Sequence, residues 1–280
     1  MYKSKCSPLS NKLGNTDSCF STDALVKIAN AYNDSIMYGK NTQQYKKLAI
    51  NTTTRDRKYY IKEINNRLSN MCTDEICWLR VNFVKQLNDK EINDLTFLPK
   101  GPNVGRKWLS TTDINRVMDQ YQHVYANYTF LGAVPIDFDD IPFFNIRNLD
   151  FNDMENHNIV YIGVVFNLDE HYKSGSHWVS MFVDFKKDNI YYFDSYGTMP
   201  DKRIIRFIKR IKHYITRKKR HPDVYVNPIR HQYKNSECGV YSINFILRLL
   251  KGESFEHIIQ NKTSDDQVNV CRGRYFRGDI

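Results

Sequence analysis

No stretch of this 280-residue chain is apolar over the length that a membrane-crossing helix needs. The opening Met1-Tyr2-Lys3-Ser4-Lys5-Cys6 is not followed by an apolar signal core, so neither a span nor conventional secretion is expected. Cysteine is sparse. The six stand at Cys6, Cys19, Cys72, Cys77, Cys238 and Cys271, below the density of a disulfide scaffold. Cys72 and Cys77 lack the matching second pair of a zinc site. The expectation is reduced thiols, no metal, no cofactor and a cytoplasmic setting. A four-thiolate site from Cys6, Cys19, Cys72 and Cys77 is the alternative. Internal repeats are absent. Acid is in short supply, with 31 Asp and Glu against 41 Lys and Arg, a net charge of +10.

What is present is a globular composition: 41% hydrophobic and 14% aromatic, the latter rich in Tyr and Phe. The length suits one core domain plus an extension. Pro99-Lys100-Gly101-Pro102-Asn103 is the strongest break in the chain. It separates an N-terminal helical extension, residues 1–99, from a second unit, residues 100–280. Helices are expected within 17–31, 56–69 and 74–87. In the second unit a helix runs from Thr111 to about Tyr125, and 145–150 and 159–167 read as strands. Val160, Ile162, Val164 and Phe166 share one face of the latter. Val224–Val226 is a further short strand, and the basic tail from Val268 to Ile280 is expected to be mobile. The layout is α+β, with one sheet between helical layers.

Charge is concentrated. Lys202, Arg203, Arg206, Lys209, Arg210, Lys212 and Arg217–Arg220 crowd residues 201–220, opposed there only by Asp201. Ile204, Ile208, Ile211 and Ile215 form a helical stripe, so 201–216 should be an amphipathic helix with a cationic outer face. That face is either solvated or a dock for nucleic acid or an acidic partner. No base-reading motif accompanies it, so contact with nucleic acid would be to phosphates.

The chemistry-bearing residues lie on either side of this helix. Cys238 follows a polar approach and precedes Val240, Ile243, Leu247 and Leu250 at helical spacing. A helix N-terminus favours a thiolate over a thiol. His177 heads an apolar strand, Lys186–Asn189 is a turn, and Ile190–Asp194 is a returning strand. Antiparallel pairing brings His177 and Asp194 together, so the carboxylate can accept the ring Nδ1–H and leave the other nitrogen free. Gln232, six residues before Cys238, can offer an amide donor to an oxyanion.

In this order and context His177-Trp178, Asp194, Gln232 and Cys238-Gly239 resemble the clan of ubiquitin-like-protein (SUMO) proteases and adenovirus-type maturation proteases. Trp108-Leu109 with Ile114-Asn115 resembles the segment that opens the SUMO-protease core. The resemblance covers about 100–255. Within the clan, the Gln-…-Glu-Cys-Gly-…-Tyr-Ser run preceded by Ile229-Arg230-His231 is similar to the polyprotein-processing proteases of large DNA viruses of the African swine fever kind. Asp194 departs from that branch, which has Asn there. The resemblance implies a papain-like core with a central mixed sheet. It makes Cys238 the nucleophile, His177 the base and acid, Asp194 the orienter, and Gln232 with the Cys238 amide the oxyanion hole. Trp178 and Trp108 would wall a channel that admits only residues without side chains. The substrate would be a polyprotein with glycine-rich, Gly-Gly-Xaa-like cleavage sites, and the setting a virion core and host cytoplasm. The alternatives are a SUMO or ubiquitin deconjugase, and a nucleic-acid or scaffold-binding protein with a vestigial site.

Overall fold

The computed structural model describes residues 5–14, 17–37 and 42–278. Two compact units divide the chain, Met1–Pro99 and Lys100–Ile280.

The first unit is helical. Thr22–Met37 buries Ala24, Leu25, Ile28 and Ala29 on one face. Its Asn33 amide donates to the Ile50 carbonyl and accepts from the Ile50 N–H, each at 2.8 Å. Arg57–Leu68 starts where Asp56 accepts from the amides of Lys58 and Tyr59, satisfying donors that a helix start leaves open. The helix expected over 74–87 is divided into Glu75–Trp78 and Asn82–Lys85, because Val81 is extended between them. Phe20 stacks on Trp78 at 5.5 Å in a core that includes Tyr60 and Ile64.

The expectation of reduced thiols fails in this unit. Cys6 is bonded to Cys19 and Cys72 to Cys77, so no four-thiolate site forms. Cys238 and Cys271 remain free. Density over the whole chain hid the pattern. Four of the six cysteines fall within the first 99 residues, a unit small enough for cross-links to supplement its core.

The second unit is built on one five-stranded mixed sheet, in the order β1 (Tyr128–Pro135), β2 (Tyr161–Asn167), β3 (Trp178–Asp184), β4 (Asn189–Phe193) and β5 (Asp223–Val226). β1 and β2 are parallel, β2–β3 and β3–β4 antiparallel, and β4 and β5 parallel. β3 is buried at every position, as a strand covered on both faces must be. Trp178 and Phe182 face a core with the helices Thr111–Val124 and Cys238–Leu250. Val179, Met181 and Val183 face the other core, with Ile204, Phe207, Ile208, Ile211 and Ile215 of the helix Lys202–Arg217. This is the sheet between helices that the sequence implied.

Two expectations fail here, and one strand goes unforeseen. Residues 145–150 are not a strand. Asn145 is left-handed at φ 52°, Ile146–Asn148 is a 3-10 turn, and Asp150 caps the helix Phe151–Asn156. β1 was not foreseen. Its register shifts between Phe130 and Ala133, around Gly132 at φ +109°, which breaks the alternation that marks a strand. The tail is folded through its described residues. It forms Asp265–Val270 and Arg272–Tyr275 and buries Arg272 and Phe276; Asp279 and Ile280 lie outside the described residues. Arg272 can be buried because its guanidinium donates to Lys107 O, Ser236 O and Asn269 Oδ1.

The basic helix divides its cations by position. Arg203 pairs with Glu170, Arg210 with Asp139, and Lys218 and Arg220 with Glu155. Lys202, Arg206, Lys209, Lys212 and Arg217 are exposed and have no acidic partner among the described residues. No helix among the described residues is long and apolar enough to cross a membrane.

Candidate active site

The β3–β4 turn sets the site. Asp184 Oδ1 accepts from the amides of Lys186 and Lys187, and Asp188 takes the left-handed position that closes the turn. The resulting register places Ser180 opposite Phe193, and continuing it brings the ends at His177 and Asp194 together. His177 Nε2 lies 2.6 Å from Asp194 Oδ1, and both residues are buried. The nitrogen differs from the one expected. Nε2 meets the carboxylate, which leaves Nδ1 as the ring nitrogen not engaged by Asp194.

Cys238 is the first residue of the helix Cys238–Leu250, a free and buried thiol. Gly239 follows for a steric reason. A Cβ there would stand 3.0 Å from Leu109 Cβ, so the glycine lets the helix start approach the Trp108-Leu109 segment closely. Burial works against a charge on His177, but the hydrogen bonds to Asp194 and Cys238 outweigh it and hold the imidazolium to a pKa of about 9.

One short segment organises both Asp194 and Gln232. Asp194 Oδ1 also accepts from the Tyr196 amide at 2.8 Å, and Asn227 Nδ2 donates to the Asp194 carbonyl at 2.8 Å. The Tyr196 ring stacks on His177 at 4.5 Å and 16°. The Ser195 carbonyl accepts from the amides of His231 and Gln232. Ser195 Oγ donates to Gln232 Oε1 at 2.6 Å, and Gln232 Nε2 donates to Lys234 O at 2.6 Å. The fully buried Gln232 side chain therefore has a fixed orientation, and its amide nitrogen has a second N–H to offer. Gly197, at φ +75°, lets the 194–197 turn close against the Ile229 backbone, where a Cβ would come within 2.8 Å.

Sequence reasoning missed the clasp beneath the thiol. Glu237 is fully buried beside Cys238, and Arg106 Nη1 donates to its Oε1 at 2.5 Å. Arg106 also bonds Asp266. Arg272 Nη2 donates to Lys107 O at 2.6 Å and Ser236 O at 3.1 Å. Together they fix the 106–109 segment against the residues before Cys238. The one sequence signal was Glu237 standing next to Cys238, an acid that cannot be buried unpaired. Trp178 Nε1 donates to Leu109 O at 2.9 Å and is buried, whereas Trp108 is 49% exposed. Both line a cleft of about 500 Å³ with Leu109, Phe144, Ala133 and Asp169. A thiol at a helix start, a buried imidazole held by a carboxylate, and an oriented amide can together carry out acyl transfer through a thioester.

This chain belongs to the Ulp1 family of cysteine proteases. Residues 145–271 match the Ulp1 protease family, C-terminal catalytic domain. Among individual proteins, the chain is 37% identical over 270 residues to a putative thiol protease of Acanthamoeba polyphaga mimivirus, covering 93% of this chain and 89% of that one. It is 27% identical over 230 residues to the cysteine protease of an African swine fever virus isolate from Malawi ticks, covering 74% and 83% respectively. The crystal structure of the African swine fever virus protease shares the fold, with a TM-score of 0.68 at 21% identity, over 98% of this chain and 96% of that one.

Proposed function

We propose that this cysteine protease is an endopeptidase that cuts viral structural polyproteins after glycine-containing, Gly-Gly-Xaa-like sequences, in the virion core and host cytoplasm, and that residues 100–280 are its catalytic unit. The observation that carries the site assignment is the buried 2.6 Å contact of His177 with Asp194 beside a free thiol at a helix start. The Cys238 sulfur, as thiolate, attacks the carbonyl carbon of the scissile amide. The resulting oxyanion takes hydrogen bonds from the Cys238 N–H and from Gln232 Nε2. The imidazolium of His177 protonates the departing amine, leaving a thioester. His177 then takes a proton from water, whose oxygen displaces the sulfur, and acid product leaves with Cys238 regenerated. Asp194 holds the ring and stabilises its charge throughout. Glycines are favoured where the substrate passes between Trp108 and Trp178, since both rings line the cleft.

The test compares wild type and Cys238→Ala on a Gly-Gly-Xaa peptide library and on a folded SUMO or ubiquitin precursor. Cleavage of the library alone, lost in the variant, supports the maturation enzyme. Efficient precursor cleavage transfers the reading to a deconjugase. Inactivity on both overturns the proteolytic assignment of this site.

The imidazolium assignment has a pH signature. The kcat/KM should fall as pH rises through about 9, where His177 loses its proton. Asp194→Asn removes an interaction that raises this pKa, so the alkaline limb should move to lower pH. An unmoved limb would separate that ionisation from His177. The sign for stability is the same. A histidine raised from 6.5 contributes fully below that pH and loses its contribution as pH rises through about 9.

The exposed cations Lys202, Arg206, Lys209, Lys212 and Arg217 favour phosphate contacts to nucleic acid, since no acid among the described residues pairs with them. Duplex DNA affinity should fall with a log–log salt slope of roughly −4 and be insensitive to sequence. Lys209→Ala should flatten that slope by about one. No measurable DNA binding at low salt would leave the ridge a solvated face.

A further inference from the structure

Four ionisable side chains line the cleft beside the two tryptophans: Asp169, Glu170, His171 and Lys173. Three are engaged within the protein. Glu170 holds Lys173 at 2.6 Å and Arg203 at 3.0 Å, and His171 Nδ1 lies 2.5 Å from Asp137 Oδ2. The Asp169 carboxylate has no hydrogen-bond or ion-pair partner among the described residues. Lys173 feels its charge, but the ammonium is bound to Glu170. The Asp169 backbone, in contrast, is fixed on both sides. Its N–H donates to Asn167 Oδ1 at 3.0 Å, and its carbonyl accepts from the Ile136 N–H at 3.1 Å. Asn167 Oδ1 also accepts from Ser176 N, and Gly175, at φ +90°, passes so close that a Cβ would stand 2.7 Å from Asn167 Nδ2. The loop between β2 and β3 is thus tied at both ends around Asn167, and it presents one carboxylate without an ion pair to the cleft.

The remaining wall is apolar and aromatic, with Trp108, Trp178, Phe144, Ala133 and Pro135. A long side chain with an apolar stem and a cationic head matches that pairing. Its stem covers the half-exposed Trp108 ring and its head reaches the carboxylate. We infer that Asp169 is a specificity-determining residue, selecting a lysine or arginine on the N-terminal side of the glycines. This rests on the proteolytic reading above, in which the glycines lie between Trp108 and Trp178. Neither His177 nor Cys238 lines this cleft, whereas Trp178 adjoins His177 in the chain and Leu109, next to Trp108, packs on Gly239; in that reading the cleft beyond the tryptophans, at Asp169, receives the residues preceding the glycines.

The experiment uses the full chain and internally quenched Gly-Gly-Ala peptides. Each of the three preceding positions is varied in turn among Lys, Arg, Met and Glu. At one position wild type should favour Lys or Arg over Met by about fivefold, the scale of a partly exposed ion pair, through KM. Raising salt should narrow the difference. Asp169→Asn should bring Lys and Met to parity while Met-peptide cleavage persists, and Asp169→Lys should favour Glu. Equal cleavage of all peptides by wild type, or a basic preference unchanged in Asp169→Asn, would overturn the inference. Binding of the same labelled peptides to Cys238→Ala protein, read by fluorescence anisotropy, needs no turnover. A charge preference there without cleavage would remove the proteolytic reading alone, and no charge preference would remove the inference.

Discussion

Cys238→Ala is expected to lower kcat/KM for peptide cleavage by roughly 10⁴ or more, with the fold intact. The substitution removes one sulfur from a buried position at the first turn of a helix, and the surrounding cap does not use it. Glu237 takes its hydrogen bonds from Arg106 and Ser236, not from the thiol. His177→Ala should cost a similar factor, since it removes the group proposed to protonate the leaving amine. The double variant should be little worse than either single one, because the two act in one step. Circular dichroism and melting temperature provide the control. A loss of activity that tracks a loss of folded protein would identify these residues as structural.

The second large effect is expected at Gln232. Removing one preorganised donor to an oxyanion costs about 10²–10³ in kcat, so Gln232→Ala should lower kcat by that factor with KM nearly unchanged. Its side chain also links Ser195 Oγ to Lys234 O, so the alanine variant disturbs the loop as well. Gln232→Glu tests the brace in part. A carboxylate still accepts from Ser195 Oγ but loses both N–H groups, the one bound to Lys234 O and the one for an oxyanion, so the melting temperature reads how much of the brace survives. If Glu restores the melting temperature but not kcat, the donor is the catalytic feature. If it restores both, Gln232 is only a brace.

The placement of the candidate residues was legible in sequence wherever short-range pairing fixes long-range geometry. A hairpin of ordinary turn length carries His177 to Asp194, and the apolar periodicity after Cys238 marks its helix start. Which ring nitrogen meets the carboxylate was not legible, since it depends on ring orientation and on the thiol's position across the sheet. The polar brace was hidden for another reason. Arg106, Glu237 and Arg272 look like surface residues in a basic, hydrophilic chain, and only the fold shows that each is satisfied by groups far away in sequence. β1 was lost to a bulge at Gly132, and the tail was lost because a buried Arg272 reads as a solvated one. The unpaired Asp169 is the converse. Nothing local distinguishes it from Glu170 next to it, and its freedom appears only when its neighbours' partners are counted.

The sulfur inventory has a practical consequence. One chain holds two oxidised pairs, both before residue 100, and a free thiol at Cys238 that the proposed mechanism needs in reduced form. No single redox poise suits every sulfur unless access differs among them, and Cys238 is only 1% exposed. A titration with reductant therefore has two arms. Mild reductant returns Cys238 from a sulfenic acid or a mixed disulfide, whereas strong reductant also opens the Cys6–Cys19 and Cys72–Cys77 links. Preparations handled in excess dithiothreitol and preparations purified in air are chemically different proteins. Thiol counting in denaturant should find two reactive sulfurs in the native oxidised chain and six after full reduction.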